Sequence, residues 1–262
     1  MILGKFKILK NYITACDDSF ILSEIKKRIS EKENVLISPI ASYTLALAFF
    51  DEKLQTILDK FTYLLPDSQW IRISMKFLYG TNIKETITGT ELMLKVCGFA
   101  QKNNYKISLY GTTEKTNRIL KVKLIKKFPK LSIVYSKPSK FREITPKEKL
   151  QLIRNIQQSN ADILFVALGS PLQEIFSSNF LFGKPRLGKP IVIIPVGAAF
   201  DFISGVKSQA PKWLQQKGCE WLFRLIYEPK RLWKRYLIYG PIYIILIIRQ
   251  KISLLLPNIL KN

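Results

Sequence analysis

The stretch Ala161-Asp162-Ile163-Leu164-Phe165-Val166-Ala167-Leu168-Gly169-Ser170-Pro171-Leu172-Gln173-Glu174 decides the fold. Ile163 to Leu168 is a short apolar run rich in branched residues, as in a strand buried on both faces. Gly169 permits a turn. Ser170 and Pro171 then read as the N-cap and first position of a helix, and Gln173, three past the cap, completes a capping box. A second unit of the same kind follows, with Ile191 to Val196 as its strand and Gly197-Ala198-Ala199-Phe200-Asp201-Phe202-Ile203-Ser204-Gly205 behind it.

Toward the N-terminus the same alternation continues. Asp17 or Asp18 can cap a first helix with Ile21, Ile25 and Ile29 on one face. Val35 to Ile37 is a strand ending in Ser38-Pro39, Ser42 to about Phe61 is helical, and Thr62 to Leu65 is a second strand ending in Pro66-Asp67. Trp70, Ile73 and Phe77 mark another helix; Leu92, Val96, Phe99 and Ala100 mark one more. Lys106 to Tyr110 is a third strand, turning at Gly111 into a helix from about Thr113 to Phe128, and Leu131 to Tyr135 is a fourth. Thr145-Pro146-Lys147-Glu148 is a capping box opening a helix to about Ser159. Strands alternating with helices predict a Rossmann-like α/β domain, a mostly parallel sheet with helices on both faces. Residues 1–206 are expected to form this core, and residues 207–262 a basic, aromatic-rich helical appendage.

Composition narrows the chemistry. The chain of 262 residues, 47% hydrophobic, can bury a proper core. Cys16, Cys97 and Cys219 are scattered and odd in number, which suggests neither a disulfide framework nor a zinc site and fits a reducing cytoplasm. Lys5, Lys7 and Lys10 interrupt the apolar residues of the N-terminus, so it lacks the core of a signal peptide. The absence of histidine excludes imidazole acid–base chemistry and leaves carboxylates as bases. With no Asp-x-Asp pair, no metal and no cofactor are expected. A formal charge of +23 implies a polyanionic neighbour: anionic lipid, nucleic acid or a phosphate-bearing substrate. Nucleic acid is the weakest of these, because no recognisable module accompanies the charge.

In an open parallel sheet, ligands gather at the carboxyl ends of the strands. Ser38, Asp67, Gly111-Thr112, Gly169-Ser170 and Gly197 follow the predicted strands and should share one rim. Helix N-termini at Thr113 and Pro171 would aim N–H groups there, as for a diphosphate. Each Gly-Ser or Gly-Thr pair serves equally as a tight turn with a cap, and Asp67 equally as an Asx-turn or cap.

These residues, together with Gln209-Ala210-Pro211-Lys212-Trp213, Glu220-Trp221-Leu222-Phe223-Arg224-Leu225, Glu228-Pro229-Lys230-Arg231 and Lys234-Arg235-Tyr236, resemble in order and spacing the WecG/TagA/CpsF glycosyltransferase family. The resemblance implies inverting transfer of a hexose or N-acetylhexosamine, of the N-acetylmannosamine type, from a UDP-sugar. The implied acceptor is a polyprenyl-diphosphate-linked sugar of bacterial surface polysaccharide or teichoic acid synthesis. Leu65-Pro66-Asp67 matches the family's Leu-Pro-Asp, whose aspartate is the proposed general base. Glu91 stands where a Gly-x-Asp-Leu aspartate is usual and is the second candidate. Gln173-Glu174 match a Pro-Lys-Gln-Glu segment, with Leu172 replacing lysine; Gln173 is then a donor to a sugar or phosphate oxygen, unless it only caps its helix. Asp201 either orients a loop, binds substrate or makes a structural hydrogen bond. Three departures stand out: Ile40 replaces an asparagine, Thr86 an arginine (with Lys84 and Arg72 as stand-ins) and Gln209 another arginine. They motivate a second reading, a non-catalytic membrane-bound partner subunit derived from such a transferase.

From Lys207 onward there are eleven Lys/Arg against two Glu. Arg224, Arg231 and Lys234, spaced seven and three apart, would recur on nearly one helical face. The resemblance makes this appendage a membrane-docking and site-completing element, with those cations opposite the leaving diphosphate. Trp221, Trp233, Tyr236, Tyr239 and Tyr243 suit a water–lipid boundary. The apolar run Tyr236 to Ile248 falls short of the ~20 residues needed to span a bilayer. It is therefore expected to lie on an anionic membrane, the inner face of the cell membrane, with a solvated basic helix as the plainer reading. Homo-oligomers are also compatible with the sequence.

Overall fold

The computed structural model describes residues 2–83, 85–140, 142, 144–183, 188–211, 213–214 and 218–256. A two-stranded antiparallel hairpin, β1 (Ile2–Ile8) and β2 (Asn11–Cys16), precedes α1 (Asp18–Ser30). The core then runs β3 (Val35–Ile40), α2 (Ser42–Phe50), α3 (Glu52–Leu58), β4 (Tyr63–Pro66), α4 (Gln69–Tyr79), α5 (Gly89–Asn103) and β5 (Lys106–Gly111). It continues through α6 (Glu114–Lys127), β6 (Ser132–Lys137), α7 (Pro146–Gln158), β7 (Ile163–Ala167), α8 (Leu172–Phe182), β8 (Val192–Pro195) and α9 (Ala199–Ser204). The six strands β4-β3-β8-β7-β5-β6 form one parallel sheet, so the expected α/β architecture is present.

Strand periodicity explains the two-sided burial. Leu36, Leu164, Val166 and Ile193 point into a core shared with α2, α3, α4, α7 and α8. Their neighbours Val35, Ile37, Ile163, Phe165 and Ile194 point the other way, against α1, α5 and α6. Asp17, rather than Asp18, caps α1 by accepting from Phe20 N. Thr145 and Glu148 form the expected capping box.

Three local expectations are corrected. The helix expected from Ser42 to Phe61 breaks at Asp51, whose side chain accepts from Lys53 N and Leu54 N and so caps a new helix. β3 does not stop before Ser38: Ser38, Pro39 and Ile40 pair with Leu64, Leu65 and Pro66, which buries Ser38 inside the strand. Ser170 is not a helix cap; α8 starts at Leu172, Ser170 Oγ is turned onto Glu174, and the Ser170–Pro171 peptide is cis. The helix expected around Trp70, Ile73 and Phe77 is present as α4, which buries Ile71, Ser74, Met75 and Leu78 and leaves Trp70, Ile73 and Phe77 exposed.

The appendage folds back over the core as α10 (Glu220–Tyr227), α11 (Pro229–Trp233), a π-helical segment (Lys234–Ile238) and α12 (Tyr239–Leu255). Tyr243, Leu246 and Ile247 join the core of α2 and α4. Tyr243 Oη donates to Ser74 Oγ at 3.0 Å. Gln250 reaches the β1–β2 turn, accepting from Leu9 N and donating to the Lys7 carbonyl, both at 2.8 Å. The hairpin, which the lysine-interrupted N-terminus does not announce, thus bonds to the last described helix, α12.

Candidate active site

The carboxyl ends of the strands place Asp67 beside its neighbours through backbone contacts. Asp67 N donates to the Ile40 carbonyl at 3.3 Å, and Ile87 N donates to the Pro66 carbonyl at 3.0 Å. The second bond brings the start of α5 against the sheet, where Gly89 N donates to Asp67 Oδ1 at 3.1 Å. Only glycine fits there: a Cβ on residue 89 would lie 2.5 Å from the Val196 carbonyl oxygen. Gly89→Ala is expected to cost about 1–3 kcal/mol through overpacking, measured by denaturant unfolding, and to shift the Asp67 carboxylate.

One residue beyond Val196, Gly197 N donates to Gln173 Oε1 at 2.9 Å. Gln173 Nε2 donates to Glu174 Oε1 at 2.9 Å, Ser170 Oγ donates to the same oxygen at 2.9 Å, and Ser38 Oγ approaches it at 3.4 Å. Asp67, Gly89, Gly197, Gln173 and Ser38 therefore belong to one continuous rim. Burial raises the Glu174 carboxyl above its ordinary pKa despite these donors, and Glu174 Oε2 is buried with no partner among the described residues. Gln173 ties the start of α8 to the turn after β8 and is not half of a capping box.

The other half of the rim carries a polar chain. Gly111 passes so close to β7 that a Cβ would sit 2.3 Å from the Ala167 carbonyl oxygen, and its φ of +131° favours glycine as well. Thr112 Oγ1 donates to Asp201 Oδ1 at 3.0 Å. Lys207 Nζ lies 3.1 Å from both Asp201 Oδ2 and Glu228 Oε2, and Arg231 Nε pairs with Glu228 at 2.7 Å. Gly169 closes the β7 end with a φ of +78°.

The appendage supplies cations to the Asp67 corner, in a different register from the one expected. Arg224 lies over the Phe202 ring at 5.6 Å, and its Nε is buried with no hydrogen-bond partner among the described residues. Arg235, which the spacing argument passes over, lies 5.3 Å from the Tyr43 ring and 5.6 Å from the Tyr236 ring. Lys234 is exposed, with its ammonium 5.5 Å from the Trp233 ring. On one unbroken helix Arg224, Arg231 and Lys234 would share a face. The chain instead restarts a helix at Pro229 and widens into the π segment at Lys234, so Arg224, Arg231 and Lys234 do not share one continuous helix.

Burial pushes the half-buried Asp67 carboxyl above its ordinary value, opposed by Arg235, by the Gly89 N–H and by Arg224. Glu220, given no role by the sequence reading, is also raised by burial, with Arg224 opposing and Asp67 adding to the rise. Burial depresses the Arg235 guanidinium. Glu91 is exposed, and its carboxylate accepts from the Thr88 hydroxyl at 3.0 Å. Of the stand-ins for the arginine replaced by Thr86, Arg72 is taken up by Gln69 and the Ile83 carbonyl, and Lys84 lies outside the described residues. Gln209 lines a cavity of about 600 Å³ with Thr90, Phe202, Lys123, Lys126 and Lys127, next to Gly89 and Arg224.

A half-buried carboxylate of raised proton affinity beside guanidinium groups suits attack by a hydroxyl on a carbon that loses a phosphate-based leaving group. Transferases of glycosyl groups perform this chemistry, and this chain is a glycosyltransferase. It belongs to the WecG/TagA/CpsF family of glycosyl transferases, whose model matches residues 6–256. It is similar to the N-acetylglucosaminyldiphosphoundecaprenol N-acetyl-beta-D-mannosaminyltransferase of Bacillus subtilis (strain 168), at 28% identity over 86% of this chain and 84% of the relative. The enzyme of the same name from Bacillus spizizenii is 25% identical over 72% of this chain and 70% of its own length.

Proposed function

We propose that the chain transfers an N-acetylmannosamine-type sugar from a UDP-sugar to a polyprenyl-diphosphate-linked sugar with inversion at the anomeric carbon. The acceptor hydroxyl attacks that carbon as the bond to the UDP oxygen breaks. The hydroxyl proton passes to Asp67, and UDP departs as an anion toward Arg224 and Arg235. What carries this reading is Asp67 on the rim, held by the Gly89 N–H, with the appendage cations Arg235 and Arg224 near enough to oppose the rise in its proton affinity. The names of the two Bacillus enzymes supply the sugar and the acceptor class.

The chain works on this reading as a peripheral protein of the inner membrane face. Pro229–Leu255 is long and apolar enough to cross a bilayer by length and composition. Its last helix instead commits Tyr243, Leu246 and Ile247 to the core, which favours lying in the interface with the outer face in lipid. Basic residues near an anionic surface add about 1 kcal/mol each.

The test is to incubate the full chain with a panel of UDP-sugars and a short-chain lipid-diphosphate N-acetylglucosamine, following UDP release and the mass of the product. Turnover with UDP-N-acetylmannosamine is expected. Release from no donor would overturn the reading and favour the partner-subunit alternative.

A further inference from the structure

Helix α4 starts at the site and turns an apolar side outward. Ser68 caps it, so Trp70 stands three residues from Asp67. Its inner side packs into the core, whereas Trp70, Ile73 and Phe77, three and four residues apart, are 40%, 49% and 48% exposed. α12 lies alongside, joined through the Tyr243–Ser74 bond and through Lys251, whose Nζ donates to the Leu78 carbonyl at 3.3 Å and lies 5.5 Å from the Phe77 ring. At about 100° per residue, Ile244, Ile248 and Leu255 fall on the side of α12 that carries Lys251. All three are exposed. The two helices thus present one continuous apolar strip, larger in character than the scattered apolar residues of an ordinary surface.

We infer that α4 is a second membrane-contacting element, which rests with α12 in the interface of an anionic bilayer and sets the height of Asp67 above the lipid. The inference rests on the peripheral-membrane reading above. Lipid is the occupant because α4 contains no Asp or Glu, and Lys76 of α4 and Lys251 of α12 stand beside the strip as an anionic headgroup layer requires. Trp70 also places an interfacial side chain at the end of the helix nearest the site. A sugar diphosphate on a polyprenyl chain is held at the bilayer surface, so a base three residues from a membrane-seated tryptophan meets its hydroxyl without extraction of the lipid.

The experiment measures flotation of the full chain with vesicles of phosphatidylglycerol and phosphatidylcholine. Combined Trp70→Ser, Ile73→Ser and Phe77→Ser substitution is expected to weaken partitioning on the order of 30-fold, from the half-exposed apolar area lost, with an unchanged circular dichroism spectrum. If the unaltered chain ignores vesicles, the peripheral-membrane reading itself falls. If it binds and the α4 variant binds equally well, only the α4 inference falls. Light scattering without lipid covers the other occupant: a dimer that becomes monomeric in the α4 variant would make the strip a self-interface and overturn the inference. Should the triple variant fail to fold, Trp70→Phe decides. Brominated lipid is expected to quench less fluorescence from it than from the unaltered chain, and equal quenching overturns the inference.

Discussion

Asp67→Asn is expected to lower turnover by about 10²- to 10⁴-fold, the usual worth of a positioned base, while leaving the protein at least as stable as before. Both halves follow from one environment. Burial raises the proton affinity of the Asp67 carboxyl, and Arg235, the Gly89 N–H and Arg224 only partly oppose it. A carboxyl with a raised folded-state pKa favours its neutral form in the fold. Its contribution to stability is therefore present below the unfolded pKa and is lost as pH rises through the folded one. Near neutrality the ionised aspartate weighs against the fold, and asparagine removes that burden while its Oδ1 still accepts from Gly89 N. The melting temperature of the variant at neutral pH should match or exceed that of the unaltered protein.

The same shift shapes the rate. The acid limb of kcat/KM is expected above the ordinary aspartate pKa of about 3.9, and it should vanish in the variant. Glu91→Gln serves as the contrast, because Glu91 is exposed and engaged by its own cap. If Glu91→Gln costs more than Asp67→Asn, the assignment of the base is reversed.

How far the sequence could be read depends on which forces it records. Alternation of buried runs with capped helices is a local signal, and it yields the parallel sheet and the shared rim of Asp67, Gly111, Gly169 and Gly197. Termination is less local. Ser38-Pro39 looks like a strand end, yet the parallel partner Leu64–Pro66 carries the strand three residues past Ile37, to Ile40. Trp70, Ile73 and Phe77 show helical spacing without saying which side of the helix is inside; polar-looking Ser74 is the buried one because Tyr243, 169 residues away, bonds it. The role of Gln173 was legible as a position but not as a contact, since its partner Gly197 lies in the turn after β8, 24 residues on. Glu220 could have been noticed as an acid in a strongly basic appendage, a rare residue whose charge needs a local reason.

Arg235→Ala is expected to cost about 10²- to 10³-fold in kcat with little change in KM, as for loss of a group that meets charge only as it develops. Lys234→Ala is expected to leave turnover near that of the unaltered protein. Spacing alone ranks them the other way, because an unbroken helix would carry Arg224, Arg231 and Lys234 on one face. The π segment from Lys234 to Ile238 removes that equivalence. It leaves Lys234 over Trp233 and sets Arg235 between Tyr43 and Tyr236, where the flat guanidinium is held by rings. Arg235→Lys should recover little, since an ammonium neither stacks nor presents two parallel donors to a diphosphate. A structural role would also lower activity, so the deciding readout is the pH profile. Arg235 is the strongest charge holding down the proton affinity of Asp67, and its removal is expected to move the acid limb of kcat/KM to higher pH. An Arg235→Ala enzyme that is slow but titrates like the unaltered protein would place Arg235 outside the reach of the base and return the cationic role to Arg224 alone.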